Sequence, residues 1–155
     1  MTPLRLLLVA ALTGAAALTA PVARAEDPGA RSFRKCQSCH MVGEGAKLRA
    51  GPTLNGIFEA PKGGLEKYRY SRVMAEANRA GEIWSLEALD AFLTDPRKTM
   101  PGTRMVFAGI RDPEERAALI LWLSRFDKEG KIREWSLYPS LTTPADKSPS
   151  TSLIE

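Results

Sequence analysis

The run Cys36-Gln37-Ser38-Cys39-His40 constrains the fold of this chain more than any other feature. It contains both cysteines and the only histidine among the 155 residues. A C-x-x-C-H spacing is the attachment signature of c-type haem. The two thiols form thioethers with the two vinyl groups, and the adjacent imidazole reaches the iron from the same side. The motif therefore predicts one covalently attached haem c, with Cys36 and Cys39 as anchors and His40 as an axial ligand.

Three other interpretations of the two cysteines compete with haem attachment. A structural zinc site needs four Cys or His ligands, and the chain has three such residues in total. A thioredoxin-type redox pair lies in a βαβ context, which the sequence around Cys36 does not supply. A disulfide between cysteines three positions apart would close a very small loop. Haem attachment is favoured over all three.

The first 25 residues are predicted to be a secretory signal peptide, cleaved after Ala25. Arg5 precedes an apolar run over residues 6–20, and Ala23-Arg24-Ala25 supplies small residues at the cleavage positions. The run is short for a membrane span of about 20 residues, although an uncleaved anchor stays open as an alternative. Export fits haem attachment, which takes place outside the bacterial cytoplasm. We therefore expect a periplasmic protein with no obligate membrane insertion after cleavage.

The charge balance gives no indication of nucleic-acid binding. Cleavage after Ala25 leaves 20 Lys and Arg against 18 Asp and Glu, a net charge of +2, and the chain has no block of basic residues. The remaining 130 residues suffice for one small domain. A domain of this size buries a marginal share of its surface, so a central haem would form part of its core.

Capping signals and apolar spacing predict an all-α domain. Asp112-Pro113-Glu114-Glu115 combines an N-cap, a proline at the first helical position and acids in the first turn. We expect helices over about residues 28–36, 72–79, 86–94 and 113–126. No convincing strand pattern and no internal repeat are present. From Asp127 the apolar pattern decays into Pro, Ser and Thr, which predicts a flexible C-terminal extension over residues 128–155.

Two further runs resemble motifs of the class I cytochromes c. Gly51-Pro52-Thr53-Leu54-Asn55-Gly56 is similar to the family's loop beside the proximal histidine, and Pro101-Gly102-Thr103-Arg104-Met105 is similar to its distal loop. The resemblance covers about Gly29 to Phe126 and implies the class I fold, with about four to five helices wrapped around one haem. In this family the first and last helices cross at a small residue and an aromatic, and Gly29 and Phe33 stand where that pattern places them.

The resemblance also implies roles for residues around the haem. Met105 would be the second axial ligand, whereas Met74 and Met100 would fill apolar space. The Pro52 carbonyl would accept a hydrogen bond from His40 Nδ1, which fixes the tautomer and makes the ligand more basic. Leu54 would pack on the haem ring. Tyr70 and Trp84 would donate hydrogen bonds to a propionate. Thr103 would lie near the buried propionate and brace the distal loop.

The sequence departs from the family pattern at two places. The usual arginine in the loop after Phe58 is missing, because Ala60 and Pro61 occupy that region. Lys62 could take the place of that arginine. Phe92 stands where many members have a tyrosine near the methionine sulfur.

Two protein ligands on the iron imply an electron carrier rather than an enzyme, because no coordination position stays open for a substrate. We expect a monomeric domain over residues 26–127 that cycles one haem between Fe(II) and Fe(III) and exchanges electrons with redox protein complexes through their acidic patches. The basic residues expected around the haem edge are Arg34, Lys35, Lys62, Lys67, Arg97, Lys98 and Arg104. Two alternatives stay open: an electron-transfer subunit fixed to a larger membrane or dehydrogenase complex, and a peroxidase or ligand-binding haem protein.

Overall fold

The computed structural model describes residues 26–133 as five helices joined by loops. The helices are α1 (Pro28–Phe33), α2 (Arg72–Arg79), α3 (Leu86–Thr94), α4 (Pro96–Thr99) and α5 (Pro113–Ser124). Within residues 26–133 the only β pairing consists of two isolated bridges, Pro61 with Ile83 and Phe126 with Ile132. The all-α prediction is confirmed. The predicted signal peptide, and residues 134–155 of the predicted extension, lie outside the described residues.

Local side-chain caps explain where most helices begin. The side chains of Ser71, Ser85 and Asp112 each accept a hydrogen bond from a backbone N–H in the first turn of α2, α3 and α5. Asp95, expected only to end α3, also caps α4, which has Pro96 at its first position. The short α4 is therefore an element that the sequence did not predict. None of the helices in the described part is long and apolar enough to cross a bilayer.

The first and last described helices pack against each other at Gly29. A Cβ added to Gly29 would lie 2.2 Å from Trp122 Cβ and 2.4 Å from the carbonyl oxygen of Ala118. The Phe33 ring lies beside the contact, with its centroid 5.0 Å from that of Trp122. The glycine thus allows the close approach of α1 and α5 that the sequence predicted.

A polar cluster on Glu115 joins the same two helices. The Ser32 hydroxyl donates to Glu115 Oε1 at 2.8 Å, and Lys35 Nζ donates to Oε2 at 2.8 Å. The hydrogen bonds from Lys35 and Ser32 hold the pKa of the Glu115 carboxyl below its usual value. An acid with a lowered pKa stabilises the folded state above its unfolded pKa, and this contribution is lost as the pH falls through the folded pKa.

Replacing Glu115 with glutamine is expected to lower the free energy of unfolding by up to about 1 kcal/mol at pH 7, a value limited by solvent screening. The deficit should begin to shrink near the usual glutamate pKa of about 4.3 and vanish only below the lowered pKa of the folded state, where the wild-type carboxyl is protonated as well. Urea unfolding at neutral and at acidic pH measures the loss of stability and its pH dependence. Glu114→Gln, in the same turn but exposed, is the control. An equal deficit at both pH values would contradict the linkage.

The chain continues past Asp127 in a turn that returns to α5. Asp127 N–H donates to the Lys131 carbonyl at 3.0 Å, and Arg133 N–H donates to the Arg125 carbonyl at 2.7 Å. Residues 128–133 are therefore hydrogen-bonded to the end of the last helix, although most of them are exposed, and the boundary expected after residue 127 falls inside this turn. The chain is ordered beyond residue 127 because of these backbone hydrogen bonds, which cannot be predicted from the polar composition of the segment.

Candidate haem site

The two cysteines and the histidine lie in a tight turn that follows α1. The α-helix ends at Phe33, three residues earlier than expected, and the backbone continues with i→i−3 hydrogen bonds, among them Cys36 N–H to the Phe33 carbonyl at 2.8 Å. His40 N–H donates to the Cys36 carbonyl at 2.9 Å. Cys36 is buried and Cys39 is exposed, and neither forms a disulfide. Burial raises the pKa of the Cys36 thiol to about 11.

The imidazole of His40 is held by the loop that follows it. Its Nδ1 lies 2.7 Å from the Pro52 carbonyl oxygen, the contact that the resemblance implies. Because a carbonyl only accepts, Nδ1 carries the proton and Nε2 keeps a free lone pair. Burial lowers the pKa of His40, against the opposing effect of the Pro52 carbonyl. A Cβ on Gly51 would lie 2.4 Å from His40 Cε1, so glycine leaves the space that the ring occupies.

A largely apolar cavity begins at His40 and extends into the centre of the domain. It contains about 910 Å³ of empty space, partly open to solvent. The residues implied as haem contacts that line it are Cys36, His40, Pro52, Leu54, Tyr70, Trp84, Thr103 and Met105. Cys39 lines an adjoining outer crevice, together with Cys36, His40 and Met105. The fold thus brings all nine sequence-predicted site residues to the cavity or to the crevice beside it.

The residues around this space fit a covalently attached haem. The free thiol of Cys36 lines both the cavity and the crevice, and that of Cys39 lines the crevice. The imidazole of His40 and the thioether of Met105 line the same cavity, and these are the donor types found in haem proteins of the His/Met type. The rest of the lining is dominated by aliphatic and aromatic side chains, such as Leu119 and Leu123 of α5. A large planar apolar group with two vinyl substituents matches this set of side chains.

Met105 lies on the loop between α4 and α5. The loop has no helix, and Thr103 Oγ1 accepts a hydrogen bond from Met105 N–H at 3.3 Å, which ties the backbone beside the thioether. Met74, assigned to apolar filling, is buried on α2 and also lines the cavity, whereas the buried Met100 does not line it. The cavity therefore contains two thioethers. No local signal in the sequence places Met74 there, because its position depends on how α2 packs.

Aromatic side chains form another wall of the cavity. Trp84 is 6% exposed, and its ring centroid lies 4.9 Å from that of Phe92. Tyr70 is half-buried, and burial raises the pKa of its phenol. Tyr68 packs edge-on against Tyr70, with centroids 4.8 Å apart, and its hydroxyl donates to the Ala50 carbonyl at 2.7 Å. Tyr68 therefore lines the cavity and also packs against Tyr70.

Lys62 does not occupy the place of the missing arginine in the cavity. Its ammonium lies 2.8 Å from Glu82 Oε2 and 5.1 Å from the centroid of the Trp84 ring, and Lys62 is not among the cavity-lining residues. The charged residue that does line the cavity is Arg104, whose guanidinium donates to the Arg69 carbonyl at 3.1 Å. Lys62, which could have taken the place of the arginine, therefore does not do so: its charge is held by Glu82 outside the cavity.

Ion pairs neutralise part of the expected basic ring. Arg34 pairs with Glu26, and Lys35 pairs with Glu115. Lys67, Arg97 and Lys98 are exposed. Lys35 and Arg104 border the outer crevice beside the 82%-exposed Val106. The rim of the crevice thus combines positive charge with an apolar side chain.

Comparisons with known proteins identify relatives over most of the described chain. Cytochrome c2 of Afifella marina is 41% identical over 102 residues, which are 66% of this chain and 82% of that protein. Cytochrome c-550 of Ancylobacter novellus is 42% identical over 102 residues, 66% of this chain and 95% of that protein. The solved structure of cytochrome c2 from Rhodospirillum centenum aligns with a TM-score of 0.60 at 33% identity, and covers 66% of this chain and 99% of that one. No family model matches the chain.

Proposed function

This chain belongs to the class I cytochromes c, and from that premise we propose a periplasmic electron carrier in which His40 and Met105 bind the haem iron. The family carries one covalently attached haem c, and Cys36 and Cys39 have the spacing for it. The observation that carries the proposal is that His40, with Nδ1 held by Pro52, faces the same apolar cavity as Met105. The proposal is an electron carrier rather than an enzyme because His40 and Met105 together would leave the iron no open position for a substrate.

The chain's own residues have distinct tasks in this proposal. The thiols of Cys36 and Cys39 anchor the group at the edge of the cavity. The Pro52 carbonyl directs the Nε2 lone pair of His40 and increases its basicity. The soft thioether of Met105 favours the lower oxidation state. The haem, when bound, supplies the one-electron couple of its iron.

The apolar lining completes the mechanism. Leu54, Leu119 and Leu123 give the cavity an apolar lining that would keep water from a bound haem, so the lower charge of the reduced state would be favoured. Tyr70 and Trp84 are the proposed hydrogen-bond donors to a propionate, and Thr103 steadies the Met105 backbone. A site that changes neither ligands nor hydration with oxidation state transfers electrons with little reorganisation.

The optical spectrum of the ferric protein tests the axial ligands. A methionine–iron bond gives a weak far-red absorption band, which we expect for the holoprotein together with a positive reduction potential in a redox titration. Absence of this band, combined with carbon monoxide binding to the ferrous form, would overturn the proposal in favour of a ligand-binding haem protein.

We further propose redox protein complexes with acidic patches as partners of a monomer, with contact at the crevice rim. Lys35, Arg104 and the exposed Val106 at that rim support this, although Glu115 offsets the charge of Lys35. The reaction rate with a natural partner should fall as ionic strength rises. A rate independent of salt would contradict steering by charge. The periplasmic location is proposed from residues 1–25, and the mass of the exported protein tests it.

A further inference from the structure

A lysine lies almost buried behind the tryptophan wall of the cavity. The Lys62 side chain is only 13% exposed. Lysine is seldom buried to this degree unless its charge is paired. Its ammonium meets Glu82 Oε2 at 2.8 Å and lies 5.1 Å from the centroid of the Trp84 ring. The lysine thus has one ionic and one aromatic partner.

Backbone hydrogen bonds fix these three residues in register. Lys62 N–H donates to the Glu82 carbonyl at 2.8 Å. Trp84 N–H donates to the Ala60 carbonyl at 2.8 Å, and Glu59 N–H donates to the Trp84 carbonyl at 2.9 Å. Two segments about 20 residues apart are therefore bound side by side. This backbone pairing, together with the conformation of the lysine side chain, places the ammonium over the indole.

The indole is the only one of the three side chains that lines the cavity. Trp84 is 6% exposed and packs on Phe92, whereas Lys62 and Glu82 are not among the lining residues. Any effect of Lys62 on the cavity must therefore pass through Trp84 or through the electric field. An ammonium over an indole face is attracted by the ring quadrupole, more strongly when water is excluded. A mostly buried charge is also screened less by salt than an exposed one.

We propose that Lys62, paired with Glu82, is a positioning residue that holds the Trp84 indole at the cavity wall and raises the reduction potential of the iron. The inference rests on the proposed function, because it takes a redox-active iron in the cavity as given. A nearby cation disfavours the more positive oxidised state, so its removal lowers the potential. The Glu82 carboxylate acts in the opposite direction.

Charge-changing variants of the holoprotein test the inference, with two readouts. Lys62→Met keeps much of the apolar stem and removes the cation, so the potential should fall. Glu82→Gln leaves the cation without its partner, so the potential should rise. A merely structural loosening of the wall would move both variants in the same direction. The matched control is Lys67→Met, which removes an exposed lysine of the same connection between α1 and α2.

Salt concentration distinguishes the effects of the two lysines on the reduction potential. The shift caused by Lys62→Met should persist at high salt, whereas the smaller shift caused by Lys67→Met should disappear. The inference is overturned if the two lysine variants have the same potential at high salt.

The second readout is the indole N–H resonance of Trp84, one of three tryptophans in the chain. In Lys62→Met this N–H should exchange with solvent about tenfold faster, and Lys62→Arg should restore the wild-type rate. Unchanged exchange in Lys62→Met would reject the positioning role. The indole readout does not depend on the axial ligands. A missing far-red band in the unsubstituted protein would therefore reject the proposed function and leave the positioning of Trp84 separately testable.

Discussion

Replacing Met105 with alanine should lower the reduction potential of the holoprotein and allow carbon monoxide to bind the ferrous form. The physical reason is loss of a soft, neutral ligand that favours the reduced state, together with an open sixth position. Axial ligands tune haem potentials over about 0.8 V, and we expect a shift on the order of 0.1 V or more. Redox titration and the ferrous spectrum under carbon monoxide measure the two effects.

The second thioether of the cavity supplies the control for this experiment. Met74→Leu conserves side-chain volume, so it should change the free energy of unfolding by less than about 1.5 kcal/mol and leave the far-red band intact. The opposite pattern, with the band lost in Met74→Leu and kept in Met105→Ala, would assign the ligand to Met74. Both residues line the cavity, so the pair of variants decides between them.

Replacing Gly29 with alanine should destabilise the domain by about 3 kcal/mol, at the upper end of typical overpacking costs. The added Cβ would lie 2.4 Å from a backbone oxygen of Ala118 and 2.2 Å from Trp122 Cβ. Neither atom can move without a shift of α5, so the two helices must separate. For a domain of this size the melting temperature should fall by roughly 10 °C or more, as measured by thermal unfolding of the holoprotein.

Gly81→Ala is the matched control for this substitution. An alanine Cβ at Gly81 meets nothing within 4 Å, but its φ of +75° lies in the left-handed region. It should therefore cost only about 1 kcal/mol, the price of placing an L-residue there. Equal losses in the two variants would mean that α1 and α5 do not approach at Gly29 as closely as described.

Helix starts were predictable from the sequence because caps are local. Ser71, Ser85 and Asp112 each bind a backbone N–H two or three residues further on, and this needs no knowledge of the rest of the fold. Asp95-Pro96 shows the limit of such signals. The same two residues can end one helix and begin another, and only the geometry of the chain shows that they do both.

The composition of the cavity was less predictable than its anchoring residues. Motif spacing identified Cys36 and His40, because their chemistry requires neighbours in sequence. Met74 is buried in the core as predicted. Its place in the cavity lining and the partners of Lys62 could not be predicted, since both are set by segments far away in the chain. Lys62 meets Glu82 and Trp84 about 20 residues later, and a single sequence does not reveal such a pairing.

The contact between α1 and α5 also bears on when Cys36 becomes buried during folding. It includes a hydrogen bond from Arg125 to Asp27 at 2.7 Å, which joins residues 98 positions apart. Closing a loop of this length costs chain entropy that the contacts between α1 and α5 must offset. A chain delivered from its N-terminus cannot bury Cys36 among Leu119 and Leu123 until the last helix arrives. Until then the Cys36 thiol stays accessible to attachment chemistry, and the arrival of α5 buries it, whereas Cys39 is exposed even in the folded domain.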